Sequence, residues 1–181
     1  MGKYYFDDED IGLAPETSHP FFVEYAKAEF YYDCTDDFSP FGNDSGADTL
    51  FNLENWYRER EAGEKCTTFL RQLIEEWGFS VEYLKLSDLG QLDAINSEEQ
   101  NFNNEVDKAV IATIFGQYKI AGKADKAMLA LAIHAFRRQR FIAEKAQIRN
   151  IDPWEYAAEY LSRLEIMEAD LAAMATKKPA N

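Results

Sequence analysis

The chain has 181 residues, 46% hydrophobic and 14% aromatic, with 33 acidic against 19 basic side chains and a formal net charge of −14. That length suits one domain with a continuous core, and the aromatic content argues against a disordered chain. No apolar run approaches the roughly 20 residues that cross a bilayer. The opening MGKYYFDDED is acidic and aromatic, unlike a secretory or transit leader, and Phe6 stands where N-myristoylation favours Ser or Thr. Two cysteines, Cys34 and Cys66, cannot build a disulfide framework, so a cytoplasmic protein is expected.

Charge is unevenly spread. Residues 1–65 hold 16 acids and 5 bases, a net of −11. Residues 66–120 hold 9 acids and 4 bases (−5), and residues 121–181 hold 8 acids and 10 bases (+2). Such a field repels phosphate backbones, which disfavours general nucleic-acid binding, and attracts cations or a basic protein.

In chain order, Ser18-His19-Pro20 reads as a helix start with Ser18 as cap and Pro20 near the first turn. Phe21, Phe22, Tyr25 and Ala28 then form an apolar face. Residues 33–46, DCTDDFSPFGNDSG, read as a loop. Asn43 or Asp44 caps the next helix, whose stripe is Leu50, Leu53 and Tyr57, with Phe51 beside it. Gly63 separates that helix from another over about 65–77, with Phe69, Leu70, Leu73, Ile74 and Trp77 on its buried face and Gly78 as a left-handed stop. FSVEYLKL (79–86) reads as extended or irregular, because a lone strand would leave both edges unpaired. Ser87-Asp88 opens a short helix running to about Ile95.

The C-terminal half is more regular. Ser97 and Gln100 make a capping box, and Phe102, Val106, Val110, Ile114 and Tyr118 recur nearly every fourth residue until Gly122. AMLALAIHAF (127–136) carries no formal charge over ten positions, which predicts a central helix enclosing a neutral, hydrogen-bonded His134. Asp152-Pro153-Trp154-Glu155 predicts the last helix start, followed by Ala157, Leu161, Leu164, Met167, Leu171 and Met174 on one stripe. The expected fold is all-α: an irregular single-domain bundle of six or seven helices over residues 1–181. It divides into an acidic, loop-rich front (1–62), a helical body (63–176) and a frayed tail (177–181).

Two acidic clusters invite a metal reading: Asp7, Asp8, Glu9 and Asp10, and Asp33, Asp36, Asp37, Asp44 and Asp48. A hard divalent cation needs several converging oxygens, and Asp36, Asp37, Asp44 and Asp48 are the candidate ligands. An EF-hand read from Asp33 fails, with Phe38 where the sharp turn needs Gly and Asp44 where the bidentate Glu belongs. Solvated helix-capping loops are the commoner fate of such acids. His19 and His134 lack further ligands at zinc spacing, and neither HExxH nor CxxC occurs. Cys66 at a helix start could be activated, but a buried inert thiol is the default. Phosphate-cradling glycine loops and the GxSxG elbow are absent as motifs, and no cofactor is predicted. The basic run Arg137, Arg138, Arg140, Lys145 and Arg149 is the one candidate anion site; pairing with the acidic front is the favoured reading.

FSPFGNDSGADTLFNLENWY (38–57), with LAPETSHP (13–20) and IATIFGQYKIAGKAD (111–125), resembles the YfeS-like family of bacterial proteins. The resemblance lies in a Pro-Phe-Gly-x-Asp-x-Gly-x-Asp segment before an aromatic-rich helix, and in a later Phe-Gly-Gln. It implies no activity, and the WGR module of some relatives has no Trp-Gly-Arg counterpart here. The matching residues are Pro40, Phe41, Gly42, Asp44, Gly46 and Asp48. Read physically, Gly42 and Gly46 allow positive φ, Phe41 plugs the loop into the core, and the aspartates suit a helix start.

The preferred functional expectation is a non-enzymatic interaction module binding a basic protein, with an immunity-like inhibitor of a basic toxin as one concrete form. Its motive is the front's charge together with 14 of the 26 aromatics in the first 60 residues. The alternative is a divalent-metal-dependent enzyme built on the acidic loops.

Overall fold

Among the described residues of the computed structural model, seven α-helices succeed one another: α1 (Pro20–Tyr25), α2 (Asp44–Glu59), α3 (Cys66–Glu76), α4 (Leu89–Ala94), α5 (Ser97–Ala121), α6 (Lys126–Gln147) and α7 (Ala157–Thr176). Short 3-10 turns occupy Pro15–Thr17, Glu29–Tyr32 and Val81–Lys85. The structure describes residues 3–94 and 97–177, and side chains there except those of 93–103. Among the described residues there is no strand, and the fold is the expected all-α bundle. The Ser97/Gln100 capping box, Phe102, the helix end at Ile95 and the tail from residue 178 lie outside the described side chains or residues.

The central helix is α5. From Val106 to Ile120 every residue except Lys108 is buried, because α1, α2, α3 and α6 pack around it and α7 lies on α6. Where α2 crosses, Gly116 gives the needed clearance, since a Cβ there would lie 2.6 Å from Leu53 Cδ2. The expectation that 127–136 forms the central helix is corrected. α6 does lie against α5 and α7, but it buries Met128, Ala132, Ala135 and Phe136 while Ala127, Ala130 and Ile133 face outward. Lack of charge described small residues on a solvated face, not full enclosure. His134 is half-buried, and among the described residues its Nδ1 has no hydrogen-bond partner, contrary to the expected hydrogen-bonded ring. Burial, then the nearby Arg138 and Arg137, hold its pKa below the ordinary value, which favours the neutral ring.

Three local expectations also change. The α1 cap is His19, whose Nδ1 accepts from the Phe21 amide at 3.1 Å, while the buried Ser18 hydroxyl donates to the Ala14 carbonyl at 2.7 Å. Residues 81–85 form a 3-10 turn that buries Leu84 between α3, α5 and α6. The last helix starts at Ala157, four residues after Pro153. Asp152 adopts φ 53°, which is not the extended backbone of an N-cap, and the Trp154 amide turns back to the Ala146 carbonyl at 3.0 Å.

The acidic front is stitched to the body through polar pairs. Lys119, fully buried on α5, meets Asp7 Oδ1 at 2.7 Å and Glu54 Oε1 at 3.4 Å. Tyr31 donates to Asp170 at 2.8 Å, and Asp36 accepts from Arg163 at 3.1 Å. Burying the Lys119 ammonium would be costly without those two carboxylates.

Candidate functional site

The loop from Ser39 to Gly46 is held by bonds between its own side chains and backbone. The Ser39 hydroxyl oxygen accepts from the amides of Phe41 (3.3 Å) and Gly42 (2.7 Å). Asn43 caps α2 by accepting from the Gly46 amide at 2.9 Å and donates its Nδ2 to the Ser39 carbonyl at 3.0 Å. Phe41 is buried against Phe22, as the sequence suggests. The glycines act differently from expectation: neither Gly42 nor Gly46 has positive φ. A Cβ on Gly46 would run into the Pro40 carbonyl oxygen, and one on Gly42 into the Asp36 and Asp33 carbonyls. Their function is close backbone approach.

This tight loop forms one wall of a surface groove of about 480 Å³, lined by Asp37, Phe38, Asn43, Asp44, Asn104, Glu105, Lys108, Trp154 and Tyr160. Phe38 packs on Trp154 (centroids 5.8 Å apart, planes at 86°) and on Tyr160 (5.2 Å). Trp154 and Tyr160 are themselves 5.6 Å apart. Three rings from two distant chain segments therefore back the groove. At its rim, Glu105 accepts from the Ser45 hydroxyl and from Lys108 at 3.2 Å. A second, shallower depression of about 300 Å³ shares Asp44 and Glu105 and adds Ser45, Asp48, Trp77 and Phe79.

Behind the rings runs a buried polar chain. Tyr160 donates to Gln139 Oε1 at 2.8 Å, and Gln139 Nε2 donates to Asp107 Oδ2 at 3.0 Å. Arg138 grips Asp107 through Nη2 at 2.6 Å and Nε at 3.0 Å, and donates Nη1 to the Leu86 carbonyl at 2.6 Å. Burial pushes the Asp107 carboxyl above its ordinary range, and the Arg138 guanidinium opposes that shift. Burial, with Asp107 and Glu105 nearby, also pushes the Tyr160 phenol up, so it stays a neutral donor. The network fixes Tyr160, and through it the groove's inner wall.

The structure divides the sequence candidates. Pro40, Phe41, Gly42 and Gly46 build the loop, whereas Asp44 and Asp48 are exposed at the α2 start. Of the candidate metal ligands, Asp36 faces Arg163, while Asp37, Asp44 and Asp48 are exposed. Among the described residues, no group of three or more His, Cys, Asp or Glu is placed to hold a metal ion. The basic run does not form one anion-facing stripe: Arg138 is fully buried on Asp107 and Arg140 pairs with Glu168 of α7. The expected pairing with the acidic front does not hold for Arg138 or Arg140; among the described residues Lys119 and Arg163 meet the front instead. Six of the front's aromatics (Phe21, Phe22, Phe30, Tyr31, Phe41 and Tyr57) are core. Burial keeps the Cys66 thiol well above its ordinary pKa, while Cys34 is exposed. Sequence reasoning did not single out Trp154, Tyr160, Glu105 or Lys108 for the site. Their convergence is tertiary; only the Glu105–Lys108 spacing hinted at a local pair.

Fold and site together define an all-α bundle bearing an acidic groove backed by aromatic rings; among the described residues, no helix is long and apolar enough to cross a membrane. The chain resembles the YfeS-like family: it is 36% identical over 150 residues to the Escherichia coli (strain K12) protein named "Uncharacterized protein YfeS". That match takes in 81% of this chain but 60% of the relative, so the chain spans about three fifths of that protein's length. No protein-family model and no solved structure matches the chain.

Proposed function

We propose that this protein is a non-enzymatic cytoplasmic interaction module that binds a basic protein partner through its acidic surface. The observation that carries the reading is the groove: exposed Asp37 and Asp44 flank it, on a front segment whose net charge is −11. Such a surface steers a cationic partner, and its half-buried rings supply contact area once the partner arrives. An immunity-like inhibitor of a basic toxin is one form this takes.

The test is affinity capture with the full chain at low salt, followed by identification of what is retained and direct titration of the purified partner. A basic protein that binds at low salt and whose affinity falls steeply with ionic strength supports the reading. Retention that is indifferent to salt, or failure to retain any basic protein, overturns it.

A further inference from the structure

We infer that the groove beside α2 is a subsite for one arginine side chain of the basic partner; this rests on the proposed function and adds location and chemistry to it. The charges come first. Among the described residues neither Asp37 nor Asp44 has an ion-pair partner, whereas Glu105 is engaged by Ser45 and Lys108. The groove therefore remains negative even with the Lys108 ammonium at its edge.

The rings supply the second element. Phe38 and Trp154 are only half-buried and both line the cavity, so a flat cation can lie against them. The buried Tyr160–Gln139–Asp107–Arg138 chain holds their backing in place. A volume of about 480 Å³ accommodates an arginine side chain.

The third element is a precedent one residue away. Arg163 lies over the Phe30 ring at 4.8 Å while donating to Asp36 at 3.1 Å. Asp37 and Phe38 offer the same combination of carboxylate and ring to the groove, where the matching guanidinium must come from outside. Arginine suits this site better than lysine, because its plane stacks on a ring while its edge donates to a carboxylate.

The experiment titrates the full chain into a labelled peptide alternating arginine and glycine, and into its lysine counterpart, by fluorescence anisotropy at low salt. The arginine peptide should bind at least about threefold tighter, a stacking-sized preference. Asp37→Asn with Asp44→Asn should weaken it about tenfold or more, as expected for losing two close charge contacts. Glu9→Gln with Asp10→Asn removes the same charge from an exposed turn and should change binding no more than about twofold. All four acids are exposed and their amides nearly isosteric, so both variants should fold, which circular dichroism checks. Equal loss in the two double variants overturns the subsite while leaving the proposed function standing. Equal affinity for the two peptides overturns the arginine assignment. No binding of either peptide overturns the proposed function and the subsite with it.

Discussion

Replacing Arg138 by Met tests whether the buried ion pair is a structural requirement. The substitution removes three bonds to Asp107, at 2.6, 3.0 and 3.2 Å, and one to the Leu86 carbonyl at 2.6 Å. Asp107 is then a fully buried carboxylate without the guanidinium that opposed its burial, and the Gln139 amide it keeps is neutral. Breaking a buried pair on one side costs about 3–5 kcal/mol. For a chain of this size that lowers Tm by roughly 6–20 °C. The loss should depend on pH. Burial already raises the Asp107 pKa, and removing the opposing guanidinium raises it further. A carboxyl whose folded pKa exceeds its unfolded value, about 3.9, costs stability progressively as pH rises from the unfolded toward the folded pKa. The deficit should therefore be smaller near about pH 4 than near about pH 7, because the proton taken up by Asp107 replaces the lost cation. Urea unfolding followed by circular dichroism at both pH values measures this. The double substitution Asp107→Leu with Arg138→Met should lose less than Arg138→Met alone, since apolar replacement of a buried pair is often nearly neutral. A loss under about 1 kcal/mol at neutral pH, or one independent of pH, would refute the reasoning.

Gly46→Ala should cost about 2–3 kcal/mol, because the new methyl meets the Pro40 carbonyl rather than a movable side chain; Asp44→Ala should cost less than about 1 kcal/mol, and denaturant melts of both distinguish wall from rim. Leu53→Ala removes a fully buried side chain where α2 crosses α5 and should lose about 2–5 kcal/mol, whereas the half-buried Leu131→Ala should lose under about 2 kcal/mol. A reversed order would restore α6 as the central helix. With a thiol reagent on the native protein, Cys34 should label rapidly and Cys66 only after unfolding, since Cys66 is buried and its thiol pKa raised. Fast labelling of both would contradict the packing of α3 on α5.

Much of the fold was legible because helical periodicity is a local property. The stripes Leu50–Leu53–Tyr57, Phe69–Leu70–Leu73–Ile74 and Leu164–Met167–Leu171–Met174 are all buried as their spacing predicts. Gly78 was equally readable as a left-handed stop, Gly63 and Gly122 as breaks, and Asn43 as one of two candidate caps beside Asp44. What periodicity could not rank was which helix lies at the centre. An uncharged stretch of Ala, Leu and Ile made α6 look central, while α5 hid Asp107, Thr113, Gln117 and Lys119 among its buried positions. Lys119 and Asp107 are tolerated there because Asp7, Glu54 and Arg138 arrive from elsewhere in the chain, and a one-dimensional pattern carries no trace of that pairing. The groove shows the same division. The sequence pointed to the loop that forms its near wall, Pro40 to Gly46, through glycines whose purpose was misread as backbone freedom. Its far wall, Trp154 and Tyr160, stands more than a hundred residues away and meets Phe38 only because α7 folds back over α6 beside the front loop. Local chemistry determined the helices and the tight loop; tertiary packing alone decided which acids stayed exposed beside which rings.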